Sequence, residues 1–259
     1  MQDLIIYQHI YKNGGSSIRE GYMHCKKHKR LVDNGARIFM LDNNDNKIPF
    51  DMNCLLSEDK PVFFTGSVNA YKIRDILDTT RRNPHYVITF REPVSRLMSA
   101  YNYYNFYLKD VCKIDHIMDF EVWFMNKRKL KPVAWDFQYI DLITKKFPVL
   151  EKSEWYKLLQ DNYDSIDHAS YVDMALEQLD YWKPTVIKLE QNHIRQMREL
   201  LNEYHPGEFE FEERMRFYNS AKDFKIDYIL TFDQLSSNIQ SQVLEELADE
   251  TRFYELCLA

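Results

Sequence analysis

The sequence predicts an α/β protein, a central parallel sheet flanked by helices. Two observations carry that expectation. Leu4–His9, Val62–Thr65, Tyr86–Phe90 and Thr185–Leu189 are short apolar runs rich in β-branched and aromatic residues, as buried strands are. Each run is followed by a stretch with helical start signals or helical periodicity. Strands that alternate with helices run parallel, and such sheets bind ligands at the carboxyl ends of their strands.

The first run ends at Asn13-Gly14-Gly15, and a helix is expected from Ser16 to about Lys29. Asp42 to Lys47 is polar and reads as a surface loop. A helix from about Asn69 to Thr80 should follow the second strand. After the third strand, Pro93 suits a first helical turn, and that helix should run to about Leu108. Residues 118–182 read as mostly helical, with Trp123, Trp135, Trp155 and Trp182 as packing anchors. A helix over Asn192–Tyr204 follows the fourth strand. Glu208 to Arg216 is charged and irregular, and Gln234–Leu256 reads as one amphipathic C-terminal helix. There is no repeat and no Ser/Gly-rich linker, so residues 1–259 are expected to form one domain.

Composition narrows the function. With 34 Lys+Arg against 40 Asp+Glu, the net charge of −6 argues against a general nucleic-acid binder. Hydrophobic residues at 45% and charged residues at 29% are enough for a core and exclude global disorder. Six Gly and eight Pro exclude collagen-like and low-complexity chains. Cys25, Cys54, Cys112 and Cys257 lie far apart with no CxxC pair, which opposes a zinc ribbon or thioredoxin-like site and suits a reduced, cytoplasmic chain. The acidic start, Met1-Gln2-Asp3, is unlike a signal peptide, and no run reaches the ~18 apolar residues of a membrane span. No membrane partner is expected.

Two strand–loop–helix segments carry the chemistry. In Tyr11-Lys12-Asn13-Gly14-Gly15-Ser16-Ser17, two glycines admit close approach of a ligand to the backbone, and the next helix offers unpaired N–H groups and the positive end of its dipole. Lys12 adds a charge, and Ser16 and Ser17 add hydroxyls. The result is an anion cradle, although an ordinary turn with a Ser16 or Ser17 helix cap has the same sequence. It is not a Walker A loop, whose lysine follows its glycines. In the second segment the strand ends at Arg91, Pro93 opens a helix, and Ser99 stands about two turns along it. Arg91 can grip a phosphate with two parallel bonds and Ser99 can add a hydroxyl. A quieter alternative pairs Arg91 with Glu92.

Together the segments resemble sulfotransferases that use 3′-phosphoadenosine 5′-phosphosulfate (PAPS). Lys12-Asn13-Gly14-Gly15-Ser16-Ser17 is similar to the family's 5′-phosphosulfate loop, and Arg91-Glu92-Pro93-Val94-Ser95-Arg96-Leu97-Met98-Ser99-Ala100-Tyr101 to its 3′-phosphate segment, in the same order. The pattern is nearest to carbohydrate-type and bacterial sulfotransferases, including heparan sulfate 2-O-sulfotransferase-like proteins. The resemblance implies a P-loop-kinase-like three-layer fold. It implies that Lys12 meets the 5′-phosphosulfate, that the backbone from Asn13 to Ser17 cradles it, and that Arg91 and Ser99 hold the 3′-phosphate. Phe217-Tyr218-Asn219-Ser220-Ala221-Lys222 resembles the loop that closes over the nucleotide, which adds Tyr218, Ser220 and Lys222 to the binding residues.

Sulfuryl transfer should run in line, as phosphoryl transfer does, with charge building on the bridging oxygen. Lys12 and the helix N-terminus can stabilise that charge, so no metal is required. A base must take the acceptor's proton. Some relatives place a histidine just after the second strand, where this chain has Gly66-Ser67. Others use a glutamate on the helix after the loop, near which Glu20 stands. Glu20 and His24 share a helix face four residues apart and are the first and second candidates. An acidic, aromatic-rich chain suits a neutral or cationic small-molecule acceptor. A saccharide or peptidyl tyrosine is the alternative within the class, a nucleotide or small-molecule kinase the alternative outside it, and a nucleotide-binding module without turnover the non-enzyme alternative.

Overall fold

The computed structural model describes residues 3–8, 10, 12–14, 37–41, 62–66, 83–106, 108–109, 112–114, 117–126, 137–144, 167–204 and 229–257. Its elements are β1 (Asp3–Gln8), β2 (Arg37–Leu41), β3 (Val62–Gly66), β4 (Asn83–Phe90), α1 (Pro93–Phe106), α2 (Phe120–Asn126), α3 (Gln138–Thr144), α4 (His168–Trp182), β5 (Thr185–Lys188), α5 (His193–Tyr204), α6 (Ser237–Glu246) and α7 (Ala248–Leu256). The protein is α/β with a parallel sheet, ordered β2-β3-β1-β4-β5. The four strands expected from sequence are present, and β2 adds a fifth, a short apolar run that the sequence analysis did not single out although Asn34-Gly35 precedes it and Asp42-Asn43 follows it.

Its contacts divide the chain into two compact units, residues 1–90 with 179–218, and 91–178 with 219–259. The first holds the sheet. β1 is hydrogen-bonded on both edges, to β3 and β4, and Ile5, Ile6 and Tyr7 are fully buried or nearly so. That is why β1 is an unbroken apolar run rather than an alternating one. Val87, Ile88 and Phe90 of β4, Ile187 of β5 and Met197 and Leu201 of α5 complete this core. Burying each such side chain contributes roughly 1.5–3 kcal/mol. In register, Gln8 stands opposite Gly66 on one side and Ile88 on the other, so the carboxyl ends of β1, β3 and β4 share one edge of the sheet.

The second unit is helical. Tyr101 of α1 meets Phe120 and Trp123 of α2 edge-on, with ring centroids 5.1 and 5.4 Å apart. Tyr139 of α3 packs on Phe253 of α7 at 5.8 Å. Trp123 is an anchor as expected, with no exposed surface. The expected single helix over Gln234–Leu256 is two: α6 and α7 are separated by Leu247, whose backbone (φ −93, ψ 9) leaves helical geometry. The bend lets Ile239 and Val243 of one helix, and Leu247, Glu250 and Phe253 around the other, all be buried. The helices expected over 16–29 and 69–80 lie outside the described residues, as do Trp135 and Trp155.

Candidate functional site

The loop after β1 belongs to the first unit. Lys12 (φ 64) and Gly14 (φ 75) are both left-handed. Glycine accepts that conformation at little cost, whereas lysine pays about 1–2 kcal/mol for it. Between them Asn13 turns inward and is fully buried. Its backbone N–H donates to Ile10 O (3.3 Å) and its side-chain amide donates to Thr89 O (2.7 Å) at the carboxyl end of β4. The Thr89 hydroxyl in turn donates to Tyr7 OH (3.0 Å). Burial pushes the Tyr7 phenol well above its ordinary range, so it stays a neutral hydrogen-bonding group. The loop is therefore fastened to the strand beside its own, with Asn13 as the anchor.

Space beside Gly14 is tight as well. A Cβ there would overlap Leu189 Cδ1 and lie 3.3 Å from His193 Nε2. That wall is itself fixed. His193 is buried with Nδ1 3.3 Å from Leu189 O, and the Gln196 side-chain amide donates to Lys188 O (3.2 Å) and Gln191 O (2.6 Å). Leu189 and His193 thus set how close the backbone comes at Gly14, a role the sequence reading did not assign them.

The Arg91 segment belongs to the second unit. Glu92 caps α1, its carboxylate accepting from Val94 N–H (2.9 Å) and Ser95 N–H (2.6 Å). Arg91 Nε donates to Ser95 Oγ (3.1 Å). Ser95, Ser99 and Asn102 fall at helical spacing on one face of α1, so the Arg91 guanidinium folds onto the face that carries Ser99. Asn102 fixes the chain further along this face: its amide donates to Leu230 O (2.9 Å) and its carbonyl accepts from Leu230 N–H (3.0 Å). Arg96, also part of the motif, is buried, with Nε 3.5 Å from the buried Glu250 carboxylate.

Sequence reasoning passed over Ser95, although it stands four residues before Ser99 inside the motif. Gln138 and Glu250 carried no local signal at all, because their partners are 47 and 112 residues away in the chain. Of the other expected site residues, Gly15, Ser16, Ser17, Glu20, His24, Tyr218, Ser220 and Lys222 lie outside the described residues. Among the described residues no group of three or more His, Cys, Asp or Glu is placed to hold a metal ion, and no helix is long and apolar enough to cross a membrane. The chain matches no protein-family model, no curated protein and no solved structure.

Proposed function

We propose that the protein is a PAPS-dependent sulfotransferase with a P-loop-kinase-like fold, moving a sulfuryl group to a hydroxyl or amine of a small molecule. The observation that carries the reading is the loop after β1. It leaves the carboxyl edge of a parallel sheet, is tied down through Asn13 to Thr89 O, and brings its backbone closest where Gly14 replaces any side chain. Parallel sheets bind phosphate-like groups at such edges. The Arg91–Ser95 bond on the Ser99 face of α1 is what a monoanion- or dianion-gripping arginine needs, a guanidinium already aimed along a row of hydroxyls.

In this reading Lys12, Gly14, Gly15, Ser16 and Ser17 hold the 5′-phosphosulfate, with Asn13 anchoring them, and Arg91 and Ser99 hold the 3′-phosphate. Tyr218, Ser220 and Lys222 close over the nucleotide. The acceptor oxygen attacks sulfur in line as the bond to the bridging oxygen breaks. Lys12 stabilises the charge gathering on that oxygen. Glu20, or else His24, takes the acceptor's proton.

Turnover of labelled donor with a panel of small acceptors tests the activity. Lys12→Ala should lower that turnover by ~10²-fold or more, the usual loss for one donor to a developing negative charge. A variant with near-normal turnover removes Lys12 from the chemistry. Arg91→Ala should weaken adenosine 3′,5′-bisphosphate binding, measured by calorimetry, by about 10- to 100-fold, the loss of a charge-assisted contact of ~1.5–3 kcal/mol. An unchanged affinity would remove Arg91 from the site.

A further inference from the structure

We propose that Gln138 and Glu250 are positioning residues that set the selectivity for a 3′-phosphate by holding the backbone of Arg91; this rests on the reading of Arg91 given above. Gln138 meets Arg91 as a neighbouring β-strand would. Its carbonyl accepts from Arg91 N–H (2.8 Å) and its amide donates to Arg91 O (2.8 Å). The same amide donates its other hydrogen to Glu250 Oε1 (2.8 Å), and Gln138 N–H donates to the Glu250 carboxylate (3.1 Å to each oxygen). Glu250 faces Arg96 in turn. Arg96 is joined to Arg91 through the first turn of α1, so the chain of contacts closes on itself.

Two features separate this from ordinary packing. Arg91 sits between the end of β4 at Phe90 and the start of α1 at Pro93, where both of its peptide groups bond to a side chain. One side chain, reaching from α3, supplies both. Gln138 and Glu250 are also fully buried, and a buried polar group is retained only when its bonds are made. Glutamine is the one residue with the required donor, acceptor and reach. Asparagine is a methylene shorter, methionine has no donor, and glutamate would place a second carboxyl against Glu250. A guanidinium hung from a backbone fixed at both N–H and C=O keeps its aim at the Ser95–Ser99 face. The same guanidinium on a loosened backbone remains charged but loses direction.

The experiment compares calorimetric affinities for adenosine 3′,5′-bisphosphate and adenosine 5′-monophosphate in the full chain. Gln138→Met should cut the preference for the bisphosphate by about tenfold, as the Arg91 peptide groups lose their partners, while leaving the monophosphate affinity near that of the wild type. In an Arg91→Ala background the same substitution should change neither. A folded Gln138→Met protein with full preference overturns the proposal, as does an equal loss for both nucleotides. Should that variant fail to fold, Gln138→Asn decides. It keeps the donor and the acceptor, falls a methylene short of Arg91, and should also lose preference; full preference in it overturns the proposal. A wild-type protein with no preference for the bisphosphate would instead overturn the reading of Arg91 itself.

Discussion

At Gly14 two constraints coincide, and their sizes can be compared. The left-handed backbone costs a non-glycine residue about 1–2 kcal/mol. The overlap with Leu189 involves the end of a flexible side chain, which can yield, so the backbone term should dominate. Gly14→Ala is expected to lower stability by about 1–3 kcal/mol in urea denaturation. Donor affinity should fall with it, because the loop must move to relieve the strain. An alanine variant as stable as the wild type would mean that the loop adopts another path. The turn through Lys12, Asn13 and Gly14 was legible in the sequence because turn chemistry is local. The partners that make them rigid were not. Thr89 offers a backbone oxygen, which any residue has, and Leu189 and His193 lie across the sheet unit in a segment that reads as strand end and helix start. The Arg91–Ser95–Ser99 row was half legible, since helical spacing announces the face but not which hydroxyl the arginine meets.

Helix boundaries were read well where the signal is a residue with one meaning. Pro93 opens α1, as proline at a first turn should, and Glu92 supplies the cap. The C-terminal segment was misread as one helix because Leu247 is neither glycine nor proline, and its bend is dictated by burial rather than by propensity. Glu250 on α7 shows what that bend accomplishes: it delivers a carboxylate to Arg96 of α1 and Gln138 of α3. Removing one partner of a buried ion pair leaves the other uncompensated, at about 3–5 kcal/mol. Arg96→Met should therefore destabilise the chain by that order, and Arg96→Met with Glu250→Leu by less than the two single losses together. The pH dependence has a definite sign. Burial raises the Glu250 carboxyl above the ordinary range, with Arg96 and then Gln138 pulling it partly back. The folded chain thus holds that proton more tightly than the unfolded one, so the stability it brings is full at low pH and is lost as pH rises through the raised value. Between the ordinary glutamate range, about 4.3, and neutrality, Arg96→Met should lose more stability than the wild type, because the pull-down by the cation is gone. Denaturation midpoints across that range measure it; parallel curves would show that Arg96 does not act on Glu250.

Each compact unit is made of two chain segments, and the segments interleave: the first unit is interrupted by 91–178, and the second by 179–218. Composition could not show this, because no linker marks the crossings. One falls between Phe90 and Arg91, at a strand end, and another inside α4, after Gln178. The interleaving has an energetic consequence. If the second unit unfolded alone, residues 91–178 would become a slack loop whose ends the first unit still holds together. Closing a flexible loop of that length costs about 4 kcal/mol. Total stabilities of 5–15 kcal/mol make that a large fraction, so the units should not unfold separately. Hydrogen exchange under mild urea should then give the slowest amides of β1 and β4, in the first unit, the same opening free energy as those of α1 and α3, in the second. A reproducibly lower value in one set would mean that its unit opens while the other stays folded, and that the loop term does not couple them.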